Sequence, residues 1–192
     1  TVVYCPLVWF ALHQVNADVF GDPPVDPVAL ARHRRAETIG DGAIALFLYG
    51  TGLHIANVIE LSSREQHGVA SGDVYDLVYF LDEGLSHYLQ FGPLFFVIGW
   101  FVLHDRPRRV EHGSLAVFFG VAHGVERSVG IIEGGKWFLG APTVLWLAFA
   151  IAVRVHRVGR AGFDEFFVRY GVAFCVTLPI AEVGFVLGLI PG

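Results

Sequence analysis

The chain has 192 residues, of which 54% are hydrophobic and only 16% are charged, and its formal net charge at pH 7 is −5. Soluble domains carry about 25% charged residues, so this composition, with a mean hydropathy of +0.57, excludes an ordinary water-soluble protein and also a disordered, collagen-like or disulfide-scaffold chain. No long basic run marks a nucleic-acid surface, and the two cysteines lack the spacing of a thiolate metal site.

Hydrophobic stretches of about 20 residues recur along the chain between short polar segments, which is typical of a polytopic membrane protein. We predict an all-α transmembrane helix bundle in the lipid bilayer, forming a single domain over residues 1–192. Five spans are predicted, at about residues 41–61, 75–103, 114–134, 137–155 and 166–190.

Residues 1–20 begin apolar and then become polar, so this segment is a shortened sixth span, a re-entrant segment or a helix in the membrane interface. Its histidine, His13, is assigned to the interface. Residues 21–27 contain three prolines and are predicted to form a loop.

Basic residues between the spans predict the orientation of the chain. Nine arginines fall in three segments on the same side of the predicted membrane: Arg32, Arg34, Arg35, Arg106, Arg108, Arg109, Arg154, Arg157 and Arg160. The opposite loops carry only Arg64 and Lys136. By the positive-inside rule, the arginine-rich segments are cytoplasmic and the C-terminus is extracytoplasmic.

Polar side chains inside the predicted spans are the most informative feature, because a charge at the centre of a bilayer costs at least about 2.5 kcal/mol. They are distributed over four spans: His54, Asn57, Glu60, Asp82, Glu83, Ser86, His87, Gln90, His123, Glu126, Arg127, Glu133 and Glu182. Three of the spans place a histidine about one helical turn from a carboxylate. Counted along the predicted spans, the groups fall in the extracytoplasmic half of the membrane.

Histidine and carboxylate side chains from several helices are suitable ligands for a divalent metal ion. The expected ligands are three histidines and three glutamates: His54, His87, His123, Glu60, Glu83 and Glu126. Zinc is the favoured metal, because three histidines and one open position are typical of catalytic zinc. Iron and copper are alternatives.

The remaining polar residues complete the expected site. Asp82 or Glu83 would serve as fourth ligand, as supporting partner of a ligand or as general base, and Ser86 would donate a hydrogen bond rather than act as nucleophile. Arg127 would pair with Asp82 or Glu133, or stabilise developing negative charge; a structural salt bridge with Glu126 is the alternative.

These features predict a membrane-embedded metal-dependent enzyme, with zinc-dependent hydrolysis of a lipid or other apolar substrate favoured. A di-iron or copper oxidoreductase or hydroxylase uses the same ligand types. A proton- or cation-linked transporter, a haem-binding protein and a structural subunit working with other membrane subunits are the remaining alternatives.

Glycines at helical spacing accompany the polar residues, among them Gly120 and Gly124. We predict that they allow helices to approach each other closely.

Overall fold

A computed structural model describes residues 4–53, 59, 62, 68, 72–104, 113–133 and 139–188. Every regular element of these residues is helical: α1 (Tyr4–Phe20), α2 (Pro27–Leu53), α3 (Asp73–Tyr79), a π-helical segment (Phe80–Ser86), α4 (His87–His104), α5 (Gly113–Glu133), α6 (Gly140–Val158), a 3-10 segment (Gly159–Asp164) and α7 (Phe166–Val186). The predicted all-helical class is confirmed.

Four helical stretches in the described part of the chain are long and apolar enough to cross a membrane: Asp73–His104, Gly113–Ile132, Gly140–Val158 and Phe166–Val186. They correspond to four of the five predicted spans. The other predicted span, 41–61, lies partly outside the described residues, and α1 is not one of the four. The exact number of spans therefore stays a prediction.

Helix α2 begins well before the predicted span. The backbone N–H of Ala29 donates to Asp26 Oδ2 at 2.7 Å, and Pro27 occupies the first helical position, where its missing N–H costs nothing. The polar residues that follow Pro27 are therefore helical rather than part of a loop.

The chain divides into two compact units. Unit one comprises Thr1–Ala17 and Arg34–Leu94, and unit two comprises Asp18–His33 and Phe95–Gly192. That residues 1–192 form a single transmembrane domain stays a prediction.

Glycines set the packing of unit one. A Cβ atom at Gly40 would lie 2.3 Å from the buried amide oxygen of Asn16, so α1 can contact α2 here only because the glycine has no side chain. At Gly50, a Cβ atom would lie 2.7 Å from the backbone nitrogen of Gln90. Helices α2 and α4 therefore approach each other closely at this level.

Glycines also allow α5 to pack closely against α7 in unit two. A Cβ atom at Gly120 would lie 2.4 Å from the carbonyl oxygen of Tyr170, and one at Gly124 would lie 3.0 Å from Thr177 Cβ. The Ser128 hydroxyl, one turn further on, donates to the Leu178 carbonyl at 3.1 Å. The predicted packing role of Gly120 and Gly124 is confirmed, as in other small-residue helix contacts.

Contacts along these helices show their relative directions. Gly120 of α5 contacts Tyr170 of α7, and Gly124, later in α5, contacts Thr177, later in α7. The two helices are therefore parallel. Gly140 lies beside Glu182 and Gly171 lies beside Ile151, so α6 and α7 are antiparallel.

The part of α4 in unit two is parallel to α6. Trp146 Nε1 donates to the Phe95 carbonyl at 3.2 Å, and Val102 packs with Ala150 further along both helices. Successive helices from α4 to α7 therefore alternate in direction, as expected of consecutive spans.

Candidate functional site

Three of the polar residues predicted on the second span, Asp82, Glu83 and Ser86, lie on a π-helical segment, Phe80–Ser86. His87 and Gln90 follow it in α4. Within the π-helical segment, Asp82 and Ser86 are fully buried. A π-helix has one more residue per hydrogen-bonded turn than an α-helix, is rare, and often occurs at functional sites. The π-helical segment therefore contains two carboxylates, Asp82 and Glu83, that lie within this largely apolar helical stretch.

The backbone carbonyl of Asp82 holds two side chains of the following turn. It accepts a hydrogen bond from the Ser86 hydroxyl and lies 3.0 Å from His87 Nδ1. Because a carbonyl can only accept, Nδ1 carries a hydrogen in this contact. His87 is only 8% exposed, so its ring is buried and this contact helps to orient it.

Two carboxylates belong to the same segment. Glu83 Oε2 lies 3.9 Å from His87 Nδ1, and the Glu83 side chain is one-third exposed. Asp82, the residue before Glu83, is fully buried. The structure thus brings together Asp82, Glu83, Ser86 and His87, four of the predicted site residues.

The neighbouring helix α2 contacts this region one turn further along α4. Gln90 Nε2 lies 3.4 Å from the Gly50 carbonyl oxygen, to which it donates. The predicted site residues His54 and Glu60, together with Asn57, lie outside the described residues.

In unit two, His123 forms a polar cluster with a neighbouring helix. Arg127 Nε donates to His123 Nε2 at 3.0 Å, and His123 Nδ1 is hydrogen-bonded to the Tyr170 hydroxyl. Since arginine can only donate, Nε2 is the acceptor and Nδ1 the donor. Both ring nitrogens are engaged, so His123 could bind a metal only by giving up one of these bonds.

Glu126 completes this cluster from the same helix. Its Oε2 lies 2.8 Å from Arg127 Nε, and its side chain is 59% exposed. Arg127 therefore pairs with Glu126 of its own helix, and its pairing with Asp82 or Glu133 stays a prediction. The convergence of His54, His87 and His123 on one metal stays a prediction, and no group of three or more metal-binding side chains occurs among the residues described.

Unit one contains a polar contact that the sequence analysis missed. His13 Nδ1 lies 2.9 Å from Asp41 Oδ1, and the buried Asn16 amide donates to the same carboxylate oxygen and to the Glu37 carbonyl, both at 3.0 Å. The signal was available: His13 and Asn16 share one face of α1, and Glu37 and Asp41 share one face of α2.

A buried ion pair in unit two was also missed. Arg154 Nε and Nη2 donate to the two carboxylate oxygens of Glu165 at 2.7 and 2.9 Å. Both side chains are less than one-tenth exposed. Arg154 was assigned to a cytoplasmic segment, and its charge is in fact neutralised within the protein.

Comparison of the chain with protein-family models, with curated proteins and with solved structures gives no match.

Proposed function

We propose that the protein is a membrane-embedded, metal-dependent enzyme that hydrolyses a lipid or another apolar substrate, with zinc as the favoured metal. The observation that carries the proposal is the buried His87, whose Nδ1 is held by the Asp82 carbonyl. Metal-binding histidines are typically oriented in this way, through a hydrogen bond from the nitrogen that does not bind the metal.

The donor chemistry of the segment fits a divalent ion. The segment carries the carboxylates of Asp82 and Glu83, and the imidazole of His87 follows it directly. Imidazole and carboxylate together suit zinc, iron or copper, whereas an all-oxygen site would suit magnesium or calcium. The proposed ligand set is His54, His87 and His123, with Glu60, Glu83 and Glu126 as further ligands or supporting groups.

The described residues of the segment would have different roles in hydrolysis. A bound zinc ion would supply Lewis acidity for attack of water on an ester or amide carbonyl. The partly exposed Glu83 is the better placed general base, while the backbone of the buried Asp82 keeps the His87 ring in one orientation. Ser86 already donates to Asp82, so it supports that turn rather than acting as nucleophile.

The experiment is metal analysis by mass spectrometry of the detergent-purified chain, with an optical spectrum. We expect about one zinc per chain, lost in His54→Ala, His87→Ala and His123→Ala variants that keep the thermal stability of a folded protein. His156→Ala is the matched control, because His156 is exposed at the end of α6.

Other results would redirect or overturn the proposal. Iron or copper without haem would keep the site and change the reaction to oxidation or hydroxylation. A Soret band would indicate haem ligation. A folded wild-type protein without metal would contradict a metalloenzyme and favour a proton- or cation-linked transporter or a structural subunit.

A further inference from the structure

An apolar groove of about 330 Å³ lies between α5 and α7 of unit two. Its walls are built mainly from four valines, Val117 and Val121 on α5 and Val172 and Val176 on α7. Each pair is spaced four residues apart, so each pair forms a continuous ridge on one helix face. The groove therefore runs along the helices rather than across them.

This groove opens to the surroundings of the protein. Val121 is 41% exposed and Val176 is 55% exposed, although both belong to helices apolar enough to span a membrane. In such helices an exposed aliphatic surface is suited to contact with hydrocarbon, and a recess in that surface is open to a lipid chain.

One end of the groove is polar because Arg169 lines it. The arginine is held in position: its Nε donates to the Phe163 carbonyl at 3.0 Å, and Nη2 pairs with Asp164. Phe163 is itself part of the groove wall. The guanidinium of Arg169 is therefore held at one end of the apolar groove, close to the beginning of α7.

The segment around this end carries a net positive charge. Residues 154–169 contain four arginines and two carboxylates, and each carboxylate is paired with an arginine, Glu165 with Arg154 and Asp164 with Arg169. Arg157 and Arg160 are exposed on the same segment. A negatively charged headgroup would complement this charge.

We propose that the groove binds one acyl chain of an anionic phospholipid, with the lipid phosphate at Arg169. Eight residues separate Arg169 from Thr177 at the far part of the lining, a rise of about 12 Å along the helix. The groove thus extends from the end of a membrane-spanning helix towards its middle, as a lipid chain does. The site lies within unit two and is independent of the proposed metal chemistry.

The test is native mass spectrometry of the full chain in detergent, with phosphatidylglycerol and phosphatidylcholine of identical acyl chains as probes. We expect phosphatidylglycerol to bind at least fivefold better than phosphatidylcholine. Val176→Phe should fill the groove and reduce binding of both lipids at least fivefold. Val183→Phe is the matched control, because Val183 is exposed on α7 and does not line the groove.

Headgroup recognition is tested separately with Arg169→Gln, which should abolish the preference for phosphatidylglycerol, and with Arg169→Lys, which should retain most of it. Equal binding of the two lipids to the wild type would overturn the proposal. So would unchanged binding in Val176→Phe, which would show that the lipids coat the protein without using this groove.

Discussion

Several polar side chains in and beside the apolar helices have specific hydrogen-bond partners. Arg154 and Glu165 form two hydrogen bonds in a buried site, and Arg127, His123 and Tyr170 form a chain of hydrogen bonds. Burying a charge is costly unless a partner and good geometry compensate for it. The pairs therefore constrain which helix faces can meet.

The Arg154 and Glu165 pair makes a prediction about stability. Glu165→Gln leaves a buried guanidinium without its counter-charge, which should cost about 3–5 kcal/mol of unfolding free energy. The measurement is thermal unfolding in detergent. Asp164→Asn is the control, since Asp164 forms an exposed pair and its loss should cost less than about 1 kcal/mol.

A double variant distinguishes the missing partner from lost packing. Arg154→Met combined with Glu165→Leu removes both charges and should recover most of the stability. If Glu165→Gln and Asp164→Asn had equal effects, the buried pair would have no special role.

Among the elements, the π-helical segment Phe80–Ser86 is the one that the residue pattern does not reveal. Helical spacing places Glu83, Ser86 and His87 on one face, and Glu83 does lie 3.9 Å from His87. The wider turn also brings Ser86 and His87 together on the Asp82 carbonyl, which the spacing does not indicate. Hydropathy and spacing indicate a helix but not its hydrogen-bond register, because π and α turns use the same residues with a small difference in backbone path.

Deleting Gly84 tests the role of this segment. Removing one residue should convert the π turn to a regular α turn, rotate His87 by about 100° and remove its contact with Asp82. If the proposed metal site is correct, zinc affinity should fall about 10–100-fold, the usual cost of losing a group that orients a ligand. Metal affinity is measured by competition with a chelator.

Gly84→Ala keeps the length of the segment and serves as the control. Its Cβ would meet only the Phe80 ring, at 3.1 Å. Loss of zinc in both variants, or in neither, would contradict a role for the π turn.

At the scale of the whole chain, unit two separates its charges along the helices. Phe20 contacts His33 and His104, so the start of α2 lies near the end of α4. The buried pair of Arg154 joins this end of α6 to the start of α7, and Glu182 lies at the opposite end beside Gly140. Which side of the membrane each end faces stays a prediction.

Cysteine labelling tests the predicted sidedness. In a Cys5→Ser and Cys175→Ser background, a membrane-impermeant maleimide should label Leu187→Cys in intact cells. Ala161→Cys should react only after permeabilisation, because residue 161 belongs to the predicted cytoplasmic side. Both positions are exposed. Labelling of both from the same side would contradict the topology, and labelling of Ala161→Cys alone would reverse it.

Four of the spans could be read from the sequence because each apolar stretch is long enough to cross a bilayer, and that property depends only on local composition. The close approach at Gly120 and Gly124 was also predictable, because small residues at helical spacing act in the same way in most helix pairs. The early start of α2 at Pro27 was missed because capping by Asp26 lies outside the apolar stretch.

Tertiary structure alone decided which polar groups are partners. His13 meets Asp41 across 28 residues, and His123 meets Tyr170 across 47. The free-energy cost of placing a polar residue in a membrane depends on the type of that residue and its position in the span, so it can be inferred from the sequence. The partner of that residue depends on which helices pack together and how each is rotated, so helix class and polar positions were determined by the sequence, while their pairing was determined by packing.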